Sequence, residues 1–222
     1  MRIFQGGEFS ENGNHQSIQI PALLSQQIVP PEKRACAWIN CYVILILESV
    51  TMISNFKTWL DELAVIATKR KDAIELKTGK RPNWNNKVKN KEIKEKFTNE
   101  GALLQGIKPR SSNDRKAREW LYDLIWREFN SDNYFTGVKL TMEIELSDMK
   151  VGGLIYDYNK LLQSDAEYKI FVFQQKTVDD SNKLFDKLEL CTNNYKNKVK
   201  STFLLSCWCW ETGTFLFKDI SV

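Results

Sequence analysis

Leu140-Thr141-Met142-Glu143-Ile144-Glu145-Leu146-Ser147 is the stretch on which the reading of this chain turns. Successive side chains of a strand point to opposite faces. Leu140, Met142, Ile144 and Leu146 then share one face, and Glu143 and Glu145 share the other. Two carboxylates side by side repel, so at neutral pH they call for a cation or for water. A divalent cation with oxygen ligands answers that need.

Working outward, the run before it is LYDLIWREF, residues 121–129, and the run after it is EYKIFVFQQ, residues 167–175. Asp123 stands among large apolar residues, where an ionised group needs a partner or a water-filled opening. The segment 115–129 also fits a helical period through Ala117, Trp120, Leu121, Leu124 and Ile125. Aromatic enrichment favours a strand after Leu121. Between the second and third runs, Leu154, Ile155, Tyr158, Leu161 and Leu162 mark the apolar face of a helix. A further helix, capped by Asp180 or Ser181, carries Leu184, Phe185 and Leu188. The chain closes on TFLLSCWCW and TFLFKDI around a turn at Thr212-Gly213. Helix, strand, strand, helix, strand, helix, strand argues for an α/β fold with a mixed sheet covered by helices.

Toward the amino end the composition changes. Residues 1–53 read as an N-terminal extension to which the sequence assigns no definite structure, rich in Gly, Asn, Gln, Ser and Pro before an apolar run from Ala35 to Ile53. Asn40 and Glu48 interrupt that run, so a buried element is expected rather than a membrane anchor. A start of translation at Met52 is a further expectation. Residues 54–110 read as a helical, lysine-rich arm. Phe56, Leu60, Leu63, Ala64 and Ala67 recur at helical spacing after Asn55 as a cap, and Gly79 and Pro82 break the pattern. Lys69, Arg70, Lys71, Lys80, Arg81, Lys87, Lys89 and Lys91 are candidate phosphate contacts, with Trp84 as a stacking surface. A solvated helix face is the alternative reading of the same lysines. Residues 111–222 form the α/β domain.

The bulk numbers narrow the chemistry. The 222 residues carry a net charge of +4, which permits a polyanionic partner without requiring one. Five cysteines with no CxxC pair argue against a disulfide framework or a zinc site, and for buried thiols in a reducing, cytoplasmic setting. The single histidine, His15, lies in the polar amino-terminal stretch. Triads and Cys-His pairs therefore lack their base. Any catalysis must run on carboxylates, lysines and metal.

An Asp in one run, Glu-x-Glu in the next, then a helix and FVFQQ resembles the PD-(D/E)XK nucleases, the restriction-endonuclease-like superfamily. The resemblance spans about half the chain, from about residue 110 to 220. It implies a restriction-endonuclease-like α/β fold with a mixed central sheet flanked by helices. It also implies Mg²⁺ or Mn²⁺ held by Asp123, Glu143 and Glu145, and metal-dependent hydrolysis of nucleic acid, DNA before RNA. Glu145 stands where the motif lysine belongs. Some members supply that lysine from the following helix, and Lys160 in YDYNKLL matches the variant. Glu119 matches an auxiliary acid, and Gln174 is placed to position substrate. The displaced lysine also leaves open an inactive module of the same fold that binds nucleic acid or protein. Whether the protein works alone, as a homodimer or in a larger assembly stays open.

Overall fold

A computed structural model describes residues 31–113 and 121–222, the side chains of 31–50 excepted. The chain divides into Met1–Val43 and Ile44–Val222, and the second of these is one compact unit. The helices are α1 (Pro31–Thr78), which enters this unit at Ile44, α2 (Asn86–Ala102), α3 (Val151–Leu162) and α4 (Val178–Asn194). Its strands are β1 (Ile107–Ser111), β2 (Leu124–Phe129), β3 (Phe135–Glu145), β4 (Tyr168–Gln175), β5 (Thr202–Cys209) and β6 (Thr214–Ser221). Among the described residues no helix is long and apolar enough to cross a membrane.

The strands lie in chain order in a single mixed sheet. β1, β2 and β3 form an antiparallel meander, β4 and β5 run parallel to β3, and β6 returns antiparallel. Parallel neighbours need long crossovers. α3 makes the first of these and α4 the second, and both pack on the same face. Leu154, Tyr158, Leu161, Leu184, Phe185 and Leu188 meet Phe171, Phe173, Phe203 and Leu205 there. The other face takes the alternate residues Leu140, Met142, Ile144, Ile170, Val172 and Leu204. α1 and α2 cover them with Phe56, Leu60, Ile93 and Phe97. The Phe56 ring lies 5.7 Å from Trp126 and 5.5 Å from Tyr168. Each such buried aromatic or leucine contributes about 2 kcal/mol of hydrophobic stabilisation.

The period-two reading of Leu140–Leu146 holds, and the ambiguity at 115–129 resolves as a strand from Leu124. The lysine-rich segment differs from its reading as an arm, because it is a layer of the core. Its apolar positions have no other surface to cover than the sheet. Gly101 allows the close approach: a Cβ there would fall 2.5 Å from the Trp126 side chain and 2.9 Å from Pro109. Asn55 caps nothing, since α1 runs through it. The break at Gly79 and Pro82 is real, and Asn85 caps α2 by accepting from Val88 N–H. Thr177 rather than Asp180 or Ser181 caps α4, its hydroxyl accepting from Asp180 N–H. β1 falls mostly within the stretch read as a helical arm, because Ile-Lys-Pro-Arg-Ser has no alternation and contains Pro109. An edge strand tolerates that proline, whose missing N–H leaves the ladder intact on one side. Glu119, and the expected helix start before Leu121, lie outside the described residues.

Candidate metal centre

Asp123 precedes the first residue of β2, and its carbonyl accepts from Ser112 N–H, prolonging the β1–β2 pairing. Leu124 pairs with Met142, which brings Asp123 beside Glu143 at the middle of the sheet. One Asp123 oxygen accepts from the backbone N–H of Ile144 at 3.0 Å. The other accepts from Lys94 Nζ at 2.5 Å and faces Ser112 Oγ at 3.3 Å. Lys94 comes from α2, is buried, and also donates to Ser112 Oγ at 2.6 Å. The Asp123 carboxylate is thus fixed at both oxygens.

Glu143 is only 5 % exposed. It sits on the α3 side of the sheet, in register with Phe171. Its Oε2 lies 3.6 Å from Lys160 Nζ, and its Oε1 is buried with no hydrogen-bond partner. Burial foremost, then the charge of Asp123, pushes the Glu143 carboxyl up to about 8, with Lys160 opposing and Asp157 adding to the rise. Lys160, one turn from Asp157 on α3, binds that aspartate at 2.8 Å. Its ammonium is held above its usual value, chiefly by the hydrogen bond to Asp157 and also by Glu143. The lysine expected from the helix therefore reaches the acid expected from the strand.

Glu145 does not join them. Its Oε1 accepts from Ser147 N–H at 2.6 Å, Ser147 Oγ at 2.6 Å and Asp148 N–H at 2.8 Å, tying the turn that leads into α3. Among the described residues no group of three or more His, Cys, Asp or Glu side chains is placed to hold a metal ion. The convergence of three carboxylates is accordingly reduced to two, because the strand ends at Glu145 and the turn claims its side chain.

Gln174 departs further. It faces the α2 side, across the sheet from Glu143, and its Oε1 accepts from Lys89 Nζ at 3.0 Å and Trp210 Nε1 at 3.1 Å. Its amide nitrogen donates to Asn86 Oδ1 at 3.2 Å and to the Leu146 carbonyl. Gln174 lies three positions after Phe171, an odd step along the strand, so the pleat sends them to opposite faces.

The basic candidates also divide. Lys89 is buried beneath Trp84 and Trp208, and Trp84 is itself a core ring, its N–H donating to Glu92 at 2.7 Å. Neither is an exposed phosphate or stacking contact, since both face inward from the α2 layer. Arg70 is engaged by Glu92 at 2.5 Å and Arg81 by Asp72 and Glu75 at 2.7 Å each. Lys91 has Glu95 at 3.5 Å. Lys69, Lys80 and Lys87 are exposed and Lys71 is half-buried.

Sequence reading missed Lys94, although the phrase Lys-Glu-Ile-Lys-Glu-Lys-Phe holds its signal. Ile93 and Phe97 define the buried stripe of α2, and Lys94 is adjacent to that stripe. Lys89 stands in the stripe itself, at i, i+4, i+8 with Ile93 and Phe97. Comparison with protein-family models, with curated proteins and with solved structures finds no match to this chain.

Proposed function

We propose that the protein is a Mg²⁺- or Mn²⁺-dependent phosphodiesterase of restriction-endonuclease-like fold, acting on nucleic acid, with DNA the first candidate. The observation that carries this reading is the unpartnered, buried Glu143 Oε1 beside Asp123. A buried acceptor without a partner is costly, and a cation between the two carboxylates would remove both that cost and their repulsion. The order of parts supports the same reading. Helix α2 and the edge strand are followed by Asp123 at β2, Glu143 in β3, Lys160 on α3, and β4 parallel to β3.

Two carboxylates suit Mg²⁺, which keeps several waters and takes its remaining ligands from substrate phosphate. Asp123 and Glu143 would hold it, and Glu145 is released from that role. The bound ion would polarise the scissile phosphate and ease deprotonation of water. Lys160, oriented by Asp157, would donate to a non-bridging phosphate oxygen as negative charge develops. Lys94 and the Ile144 N–H keep Asp123 from swinging away.

The test is cleavage of plasmid, linear duplex, single strands and RNA in Mg²⁺, Mn²⁺ or EDTA. Metal-dependent cleavage that falls at least about a hundredfold in Glu143→Ala is the expected result. Equal cleavage in EDTA, or an unaffected Glu143→Ala, overturns it.

A second reading is favoured by one observation: Lys94 already neutralises Asp123. A site balanced from within suits a module that binds nucleic acid without cutting it. Such a module shows no cleavage, salt-sensitive binding, and unchanged affinity in Glu143→Ala.

A further inference from the structure

A cleft lies on the other face of the sheet from Glu143. It holds about 550 Å³ and is walled by Trp84, Trp208 and Trp210, with Lys71, Lys87 and Asn86 among its polar lining. Trp84 and Trp208 meet edge to face at 5.0 Å and are core rings that show only part of themselves to the cleft. Trp210 is different. It is 52 % exposed, yet its indole N–H is fixed to Gln174 at 3.1 Å. A large ring held by its polar edge and half exposed to water is a ready stacking plate.

Beneath these rings lies Lys89, 1 % exposed, with Nζ 4.7 Å from the Trp208 centroid and 5.4 Å from that of Trp84. Its ammonium has three donors and finds one acceptor, the Gln174 amide oxygen. No carboxylate pairs with it among the described residues. A buried cation in that condition points to an acceptor-rich ligand. Burial pushes it down to about 7, in keeping with a donor that lacks its counter-charge.

A second cleft of about 500 Å³ shares Asn86 and Lys87 with the first, then passes Asn90 and Lys91 to Asn113 and Glu145. Asn113 follows Ser112, which touches Asp123. The amides and lysines of this second cleft therefore continue the aromatic cleft along α2 as far as Asn113 and Glu145.

We propose that the Trp210 cleft receives one unpaired nucleobase of a single-stranded polynucleotide, with the adjoining phosphates running along Lys87 and Lys91. The base stacks on Trp210, its carbonyl and ring-nitrogen acceptors face Lys89 and Asn86, and Gln174 braces all three. Stacking accepts any base, whereas a duplex keeps its bases sequestered in the helix. This deepens the phosphodiesterase reading, on which its nucleic-acid ligand rests, by naming a strand with unpaired bases as the substrate.

The full chain is titrated in EDTA with a labelled single-stranded oligonucleotide, as DNA and as RNA, and with the matching duplex. Binding is followed by anisotropy. Trp210→Ala is expected to weaken single-strand binding about tenfold while duplex affinity stays as in the wild type, and Trp210→Phe is expected to restore most of the loss. The exposed ring keeps the substitution clear of the core, and unchanged thermal unfolding checks that. Equal single-strand affinity in Trp210→Ala, equal losses on single strand and duplex, or no single-strand binding by the wild type each overturns the pocket. Absent cleavage with Trp210-dependent binding intact would instead remove the phosphodiesterase reading and leave the pocket standing.

Discussion

Glu143 and Lys89 are buried charges on opposite faces of one sheet, and each is left incomplete in the opposite sense. Glu143 has an oxygen without a donor, and desolvation raises its carboxyl to about 8. Lys89 has an ammonium without a carboxylate, and desolvation lowers it to about 7. Lys94 supplies the control. It lies on the same helix as Lys89, is buried like it, and has Asp123 at 2.5 Å. Burial alone therefore does not distinguish a structural lysine from one placed for a ligand, and the presence of a counter-ion does. The carboxylate face asks for a cation and the aromatic face for an acceptor-rich, stackable group.

The largest effect on stability is expected from breaking the completed pair. Lys94→Met strands Asp123 against the Ile144 N–H with its charge uncompensated, at a cost of roughly 3–5 kcal/mol. Lys89→Met, by contrast, removes a cation that has no carboxylate and leaves Gln174 Oε1 still served by Trp210. It is expected to be neutral or stabilising at pH 6. Denaturant unfolding of the two variants at one pH makes the comparison directly. Equal losses would show that Lys89 is as much a structural ion as Lys94, and the contrast would collapse.

pH sharpens the same contrast. Glu143 has a folded pKa above its unfolded one, so between about 4.5 and about 8 the folded state binds the extra proton. By linkage, its contribution makes stability fall as pH rises through that window. Lys89 has a folded pKa below its unfolded one, so between about 7 and about 10.5 the unfolded state binds the extra proton. Its contribution makes stability rise with pH there. Each limb is worth on the order of 2 kcal/mol, allowing for relaxation around the buried group. Glu143→Gln should flatten the acid limb relative to wild type, and Lys89→Met the alkaline one. Chemical denaturation across pH 5 to 10 reads both. Mg²⁺ at saturating concentration should remove the acid limb in the wild type and leave the alkaline limb unchanged, because the ion and Lys89 are on different faces.

The fold was legible where burial is one-sided. Leu140 to Leu146 alternates, and α3 and α4 carry clean stripes, so β3, its crossovers and the face of Glu143 followed from period and order, whereas the pairing of Lys160 with Glu143 was expected from the resemblance alone. Illegibility had physical sources. β1 is an edge strand, where Pro109 and the absence of alternation carry no penalty. α2 buries Lys89 in its core stripe and Lys94 beside it, so lysine count reported solubility when position was the informative variable. Trp210 and Gln174 are joined by a hydrogen bond across β4 and the end of β5, and no local spacing encodes that. Glu145 shares a face with Glu143 in any strand. Only the end of the strand after it, and the hydroxyl and amides of the turn, decide that it looks elsewhere.

The smallest expected effect is at that glutamate, and it discriminates most finely. Glu145→Gln keeps an oxygen for Ser147 and Asp148, so the turn before α3 should lose less than about 1 kcal/mol. Two carboxylates at the metal imply that cleavage by Glu145→Gln stays within a few-fold of wild type, with an unchanged Mg²⁺ concentration at half-maximal rate. Glu143→Gln measured alongside should lose cleavage. If instead both variants lose it together, Glu145 must leave the turn to join the ion when substrate is bound. The Ser147 and Asp148 amides would then be exposed on metal addition, and faster hydrogen exchange at those two positions would record the movement.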